Sequence, residues 1–245
     1  MHGRRALFAV LISATLLSGA CRAPHPPRLA SPACPTTAVA IPLSAPTAGE
    51  ITVEQLALLL PRHPVVVGFD VDDTLIFSAP AFNALQPLYD PEVIRPHDPA
   101  TLRPEQAAAY HAFWNALNEE YDDRSVPKRI GKRLLDLHTA RGDEIWIISR
   151  RQSTVPYSDR CTRRYERMFG ITLQHPVVQT ELEDKTRFIC ERHIDYYYGD
   201  SDSDITAAVT VGAVPIRVKR ARDSYAEDPV HNGQLGEIVL KDSER

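Results

Sequence analysis

The sequence predicts an α/β fold in which a parallel, Rossmann-like sheet is flanked by helices. Two observations lead to this prediction. From Val65 onward, short runs of β-branched and aromatic residues alternate with helical segments. Several of these runs are followed directly by charged or hydroxyl residues. Sheets of this kind carry their sites at the carboxyl ends of the strands, so the pattern also predicts where a site lies.

Composition and charge limit the classes of protein to which the chain can belong. The chain has 245 residues, of which 43% are hydrophobic and 24% are charged. This is enough for a sizeable core and excludes disorder throughout. The formal net charge is −4, whereas a nucleic-acid scaffold is expected to be basic. The composition therefore argues against a polynucleotide partner.

The first twenty residues predict an export signal. Arg4 and Arg5 precede the apolar run "ALFAVLISATLL", which is too short to span a bilayer, and the small residues "SGAC" follow. Two outcomes stay open: cleavage after Ala20, or lipidation of Cys21, because "LLSGAC" is similar to a lipobox. Both predict an exported, periplasmic protein, and the second adds a membrane anchor.

Residues 21–48 predict a disordered tether, because they hold seven prolines, no acidic residue and no periodicity. The folded domain is expected to span residues 49–245. It begins with a helix over residues 51–60, where "TVEQ" is a possible capping box.

The remaining elements follow in order from the hydrophobic pattern. Ser125 is a candidate cap for the helix that ends at Gly142, and Gly170 ends the next one. The insertion of about residues 78–124 is expected to form, with helix 51–60, a small helical lid. The predicted segments are strand 65–70, helix 127–141, strand 144–148, helix 159–169, strand 176–179, helix 185–193, strand 194–198, helix 203–210 and strand 214–218.

Chemistry-bearing residues follow four of these segments. Carboxylates crowded at the end of a buried strand repel one another and need a cation or hydrogen-bond donors. A shared divalent cation and the Lys185 ammonium are the partners that the chain offers. The residues expected at this edge are Asp70, Asp72 and Asp73, then Ser149, Arg150 and Arg151, then Lys185, and finally Asp200 and Asp204.

This set resembles the four motifs of the haloacid dehalogenase superfamily. "FDVDDTLIFSAP" and "YGDSDSDI" resemble more closely the signature segments of bacterial class B acid phosphatases. The resemblance runs from about residue 50 to the C-terminus. It implies a haloacid dehalogenase-like sheet with the cap inserted after the first strand, and an exported phosphatase acting on small phosphate monoesters.

The resemblance also implies roles for these residues. Asp70 is the expected nucleophile and Asp72 the general acid and base. One Mg²⁺ per subunit is expected on the side chains of Asp70 and Asp200 and the backbone carbonyl of Asp72. Asp204 is expected just outside the metal ligands, where it orients bound water or Lys185.

Phosphate binding is assigned by the same resemblance to Ser149, Lys185 and Arg151. Class B enzymes commonly show Thr-Gly-Arg at the second motif, where this chain has Ser149-Arg150-Arg151. Arg150 therefore adds bulk and charge at a position that glycine usually occupies. The resemblance further implies a possible homotetramer.

Several residues keep two interpretations. Phe82, Phe113, Trp114 and Tyr225 form either a substrate pocket or part of the core. Asp73 is expected to stabilise its loop rather than to react. Cys161 and Cys190 are either disulfide-linked or buried free thiols.

Two alternative functions remain at this point. A class C-like lipoprotein nucleotidase would favour Glu at the position of Asp73. A non-catalytic binding or storage protein would tend to lose the nucleophile, which is present here as Asp70. The acidic run at residues 200–204 does not fit a calcium loop, because Ile205 stands where the sharp turn needs glycine.

Overall fold

Most of the predicted segments form strands and helices in the computed structural model, which describes residues 49–94, 101–154, 158–181 and 183–245. The predicted signal peptide and tether lie outside the described residues. The strands are β1 (Val66–Phe69), β2 (Ile76–Phe77), β3 (Val126–Pro127), β4 (Glu144–Ser149), β5 (Val178–Gln179), β6 (Tyr196–Gly199), β7 (Val214–Arg217) and β8 (Ile238–Val239). The helices are α1 (Val53–Leu59), α2 (Ala79–Leu85), α3 (Pro91–Ile94), α4 (Pro104–Ala116), α5 (Arg129–Arg141), α6 (Arg160–Phe169), α7 (Thr186–Glu191) and α8 (Asp202–Val211).

Six strands form one sheet in the order β5-β4-β1-β6-β7-β8, and every neighbouring pair is parallel. Strand β1 lies between β4 and β6, so the residues that follow these three strands meet at the middle of one edge. The predicted parallel α/β fold is confirmed. Strands β2 and β3 form a separate antiparallel pair.

Alternate residues of the strands face two different hydrophobic clusters. Val67 and Phe69 pack in the cluster that also holds residues of α1, α5 and α6. Val66 packs in the cluster that holds residues of α7 and α8. Period-2 alternation of this kind places helices on both faces of the sheet. The predicted tyrosine run divides in the same way, with Tyr197 on the α7–α8 face.

The prediction that helix α1 forms part of the lid was wrong. Its capping box forms as expected, with the Thr52 side chain accepting from the backbone of Gln55. However, Leu56 is buried in the core beside residues of α5, so α1 belongs to the sheet layer and not to the lid. The Ser125 prediction was also wrong: Lys128 is the N-cap of α5, and the Ser125 hydroxyl donates to Asp122.

The cap is the segment inserted between β2 and β3 in the sequence, and it has a small hydrophobic core of its own. Side chains of α2, α3 and α4 meet there, including Phe82, Ile94 and Phe113. One tryptophan, Trp114, packs against this cluster. The other tryptophan, Trp146, lies on β4 of the sheet. Its ring stacks on His175 with ring centroids 3.7 Å apart.

The two described cysteines are not joined to each other. Cys161 is a buried free thiol, and burial raises the pKa of its thiol to about 11. Cys190 is disulfide-bonded. Across the described part of the chain, no helix combines the length and the apolar character that a membrane span needs.

Candidate active site

The first motif begins where β1 ends. The backbone NH of Asp70 donates to the carbonyl of Tyr198 at 2.9 Å, which fixes Asp70 to strand β6. A tight turn follows, closed by the Asp73 NH donating to the carbonyl of Ile76 at 2.7 Å. Asp73 has φ +58°, in the left-handed region that Asp tolerates better than most residues. This turn keeps Asp70 and Asp72 at the carboxyl edge of the sheet.

Lys185 joins two buried carboxylates at this edge. Its ammonium donates to Asp70 and, at 2.7 Å, to Oδ1 of Asp204. Burial opposes the charged ammonium, but the carboxylates of Asp204 and Asp70 outweigh it and raise the pKa of Lys185 well above its ordinary value. Burial raises the pKa of the Asp70 carboxyl, and the Lys185 charge opposes that shift. The predicted Asp70–Lys185 proximity is present.

Asp200 completes a cluster of acidic oxygens. One carboxylate oxygen from each of Asp70, Asp200 and Asp204 lies within 4.8 Å of the others, and all three residues are buried. Arg220 donates from Nε to Oδ2 of Asp200 at 2.6 Å. Burial raises the pKa of Asp200 to about 6, against the opposing charge of Arg220. Three carboxyl groups of this cluster thus lie against the cations Lys185 and Arg220.

A divalent cation fits this cluster. Lys185 and Arg220 each engage one oxygen of Asp70 and Asp200, which leaves the second oxygen of each carboxylate for a metal. Hard oxygen donors of this type suit Mg²⁺. Asp204 differs, because both of its oxygens accept hydrogen bonds, one from Lys185 and the other from Ser201. Its geometry agrees with the predicted place beside the metal ligands.

Close packing fixes Asp204. A Cβ on Gly199 would lie 2.3 Å from the Asp204 Cβ, closer than real Cβ contacts allow. Glycine at this position therefore lets α8 approach the end of β6. The Ser201 side chain caps α8 and also holds Asp204.

The second motif lies beside the first. Ser149 ends β4 and is buried, and its hydroxyl accepts from the backbone NH of Arg151 at 3.2 Å. The Arg151 guanidinium, predicted to contact phosphate, pairs with the carboxylates of Asp72 and Asp122. These carboxylates raise the pKa of Arg151 well above its usual range, although burial opposes the charge. Arg150 is exposed.

The four aromatic residues do not share one position. Phe82 and Tyr225 stack with centroids 3.7 Å apart and ring planes 8° apart. Trp114 meets Phe82 edge-on at 6.3 Å. Phe113 is only 1% exposed and lies within the core of the cap. Phe82 is 3% exposed and belongs to the same cluster. The structure therefore places Phe113 and Phe82 in the core, one of the two interpretations that the sequence left open, and leaves the partly buried Trp114 and Tyr225 as pocket candidates.

Asp73 connects the first motif to the loop that carries Tyr225. Its carboxylate accepts a hydrogen bond from the hydroxyl of Ser224. Burial raises the pKa of Asp73, and the Ser224 bond opposes that shift. This contact agrees with the predicted loop-stabilising role of Asp73. Lys128 supports the same turn by donating to the Asp73 carbonyl at 2.5 Å.

Sequence reasoning missed an ionic network behind Arg151. The Arg151 guanidinium contacts two cap side chains, Asp122 and Asn118. Arg164 in turn donates to Asp122, and these three residues are buried. Asp122 and Asn118 lie in the acidic run "NEEYDDR" of the cap, and Arg164 is on α6. A buried charge needs partners, but the sequence gives no sign that these charges are buried.

Comparison with known proteins identifies relatives. The chain is 34% identical over 190 residues to a class B acid phosphatase of Klebsiella pneumoniae (strain 342), covering 76% of each chain. It is 36% identical over 204 residues to a class B acid phosphatase of Haemophilus parainfluenzae (strain T3T1), covering 79% of this chain and 80% of the relative. A solved haloacid dehalogenase-like hydrolase from Streptococcus pneumoniae has a TM-score of 0.47 and 16% identity, covering 73% of this chain and 94% of that chain. No protein-family model matches.

The two relatives decide between the alternatives left by the sequence. Both carry the class B description, and both match over about three quarters of their own length at more than 30% identity. Neither the class C alternative nor the storage alternative has comparable support. The chain is a phosphatase and belongs to the class B acid phosphatase family.

Proposed function

We propose that this phosphatase is an exported, Mg²⁺-dependent enzyme that hydrolyses phosphate monoesters through an aspartyl-phosphate on Asp70. The observation that carries the proposal is the buried cluster of Asp70, Asp200 and Asp204 around Lys185. A nucleophilic carboxylate, a fixed cation and free carboxylate oxygens for a metal are the groups that this chemistry requires.

In the first step, a carboxylate oxygen of Asp70 attacks the phosphorus atom. The bond from phosphorus to the ester oxygen breaks, and Asp72 gives a proton to the departing oxygen. A carboxylate is a weak nucleophile, but phosphate leaves it readily afterwards. The product alcohol then departs, and the phosphoryl group stays on Asp70.

In the second step, water attacks the phosphorus of the aspartyl-phosphate while Asp72 accepts the proton from that water. The bond between the Asp70 oxygen and phosphorus breaks, which releases inorganic phosphate and restores the carboxylate. Lys185 and the Ser149 hydroxyl stabilise the negative charge on the phosphoryl oxygens in both steps. Asp70, Asp200 and the Asp72 carbonyl would hold Mg²⁺, which would supply further charge neutralisation when bound.

Substrate preference is assigned to the aromatic residues at the cap. Tyr225 is partly exposed and stacks on the buried Phe82, and it is the ring on which a planar group is proposed to bind. Stacking on an aromatic side chain is worth about 1–3 kcal/mol per base. Nucleoside monophosphates and aryl phosphates are therefore the proposed preferred substrates.

Export is proposed from the signal-like residues 1–20. Lipidation of Cys21 and assembly into a homotetramer remain predictions.

Hydrolysis of p-nitrophenyl phosphate by the mature protein tests the proposal. We expect turnover that EDTA abolishes and Mg²⁺ restores, and a loss of several orders of magnitude in Asp70→Asn, because an amide cannot form the acyl phosphate. Asp184→Asn, an exposed carboxylate beside Lys185 in sequence, is the matched control and should retain activity.

The intermediate is tested separately in Asp72→Asn with a substrate that has a good leaving group. Phosphoenzyme should accumulate as acid-stable label that hydroxylamine releases. Turnover in Asp70→Asn, or failure to trap this label, contradicts the mechanism.

A further inference from the structure

The acid–base carboxylate of Asp72 is held by an arginine. Nε of Arg151 donates to Oδ2 of Asp72 at 2.9 Å, and Nη2 donates to Oδ1 at 2.6 Å. A two-point pairing of this kind fixes both the position and the plane of a carboxylate. Arg151 is itself only 2% exposed, so protein groups rather than water determine where its guanidinium lies.

Those protein groups belong to the cap. Nη2 of Arg151 also donates to Oδ1 of Asp122 at 3.0 Å, and Nη1 reaches Oδ1 of Asn118 at 3.5 Å. The Asn118 amide donates to the carbonyl of Gln152 at 2.7 Å, one residue beyond Arg151. The end of the cap therefore holds both the side chain of Arg151 and the backbone that follows it.

Asp122 is fixed from several sides. Its Oδ1 accepts from the Ser125 hydroxyl at 2.8 Å, and its Oδ2 accepts from Arg164 at 3.3 Å and from the Tyr165 hydroxyl at 3.1 Å. It is fully buried, and although burial opposes the charge, Arg151 and these donors lower the pKa of its carboxyl. Removing the charge would leave a buried guanidinium short of one partner, which is costly.

We infer that Asp122 is a positioning residue that anchors Arg151 and, through it, sets the orientation of Asp72 toward the leaving group. The inference rests on the proposed function, because it concerns the proton that Asp72 gives to the ester oxygen. Asp122 lies in the last turn of the cap, whereas Asp72 lies at the edge of the sheet. The cap therefore does more than cover the site: its attachment determines the geometry of the acid.

A competing role for Arg151 makes a different prediction. If Arg151 serves chiefly to bind phosphate, loosening it weakens the binding of every monoester equally, because all of them carry the same phosphoryl group. If it orients the acid, the loss depends on the leaving group, since a poor leaving group needs a proton and a good one does not.

The test compares kcat/KM for p-nitrophenyl phosphate, phenyl phosphate and glycerol phosphate in the wild type and in Asp122→Asn. This ratio covers the steps up to departure of the alcohol, so hydrolysis of the phosphoenzyme does not enter. We expect little change for p-nitrophenyl phosphate and a loss of about tenfold or more for glycerol phosphate. The inhibition constant of inorganic phosphate should stay nearly unchanged.

Asp123→Asn is the matched control. Asp123 is the next residue and pairs with Arg164, but its side chain is 58% exposed and its recorded ion pair does not involve Arg151. It should behave like the wild type with all three esters. An equal loss on all esters in Asp122→Asn, with weaker phosphate inhibition, overturns the inference, and so does no loss at all.

Two further measurements cover other failures. If Asp122→Asn does not fold, Arg151→Lys keeps the charge but loses the two-point pairing, and the same leaving-group dependence is expected. If the wild type hydrolyses none of the esters, the proposed function fails. The contact is then tested by urea unfolding of Asp72→Asn, Asp122→Asn and the double variant, where additive effects overturn the inference.

Discussion

Both carboxylate oxygens of Asp204 accept hydrogen bonds, one from Lys185 and the other from Ser201. The side chain also packs closely against Gly199. Asp200 differs from Asp204, because Arg220 donates to only one of its carboxylate oxygens, Oδ2. Asp200 and Asp204 are only four residues apart but have different contacts, so their substitution is expected to have different effects.

Substitution separates these two carboxylates. Asp200→Asn should raise the Mg²⁺ concentration needed for half-maximal activity sharply, because a neutral amide oxygen replaces a charged carboxylate ligand. Asp204→Asn should mainly lower kcat, by about 10- to 100-fold, because Lys185 loses one of its partners. Titrating activity with Mg²⁺ in both variants measures the difference. An equal shift in Mg²⁺ requirement would mean that both side chains are ligands.

At the scale of elements, the cap is joined to the rest of the domain at its base and through the loop of Tyr225, in addition to the Asp122–Arg151 contact. The antiparallel pair of β2 and β3 closes its base, and the Asp73–Ser224 hydrogen bond fixes the loop of Tyr225 against the first motif. Tyr225 then stacks on Phe82 of α2. The proposed stacking surface thus takes one residue from the cap and one from the loop after β7.

Tyr225→Ala tests that surface. We expect KM to rise about tenfold for AMP and phenyl phosphate, with little change for glycerol phosphate, because only planar groups lose a stacking partner. Tyr89→Ala is the control, since the Tyr89 ring meets Phe113 inside the cap. If glycerol phosphate is affected equally, or if the variant loses stability without losing its preference, the stacked pair is structural.

At the scale of the whole molecule, the fold brings three buried carboxyl groups together at one edge of the sheet, and burial disfavours their ionised forms. The pKa of Asp200 is raised to about 6, above its ordinary value of 3.8. Between these values the folded state holds a proton that the unfolded chain has released. The contribution of Asp200 to folding stability therefore decreases as pH rises through this window.

Mg²⁺ should reverse this loss, because it binds the deprotonated carboxylate. At about 100 times its dissociation constant, a ligand stabilises a fold by about 2.7 kcal/mol, which corresponds to a rise in Tm of roughly 5–10 °C for a chain of this size. Thermal melts with and without Mg²⁺ should give a larger rise at pH 7.5 than at pH 5. Equal rises at both pH values, or an undiminished rise in Asp200→Asn, would contradict this account.

Local patterns were sufficient to predict most of the sheet and the residues at its edge. Strand 144–148 is observed as Glu144–Ser149 and strand 214–218 as Val214–Arg217, because buried strands are short apolar runs bounded by polar residues. Strands β2, β3 and β8 were missed. Each has two residues and depends on a distant partner rather than on its own pattern.

The same distinction explains the site. Asp70 and Asp200 follow strands, so topology predicts that they meet. Arg151 and Asp122 are 29 residues apart, and Arg164 is 42 residues from Asp122. Such contacts arise only when the cap packs on the sheet, and no periodicity within "NEEYDDR" identifies which of its acids becomes buried.

The positions of the two tryptophans make the protein suited to fluorescence spectroscopy. Trp114 packs in the aromatic cluster of the cap, and Trp146 stacks on His175 at the sheet. Because indole emission depends on the immediate surroundings, each tryptophan is an intrinsic probe of one part of the molecule. Trp146→Phe would leave Trp114 as the single tryptophan, so that changes in the surroundings of the cap cluster can be followed optically without an attached dye.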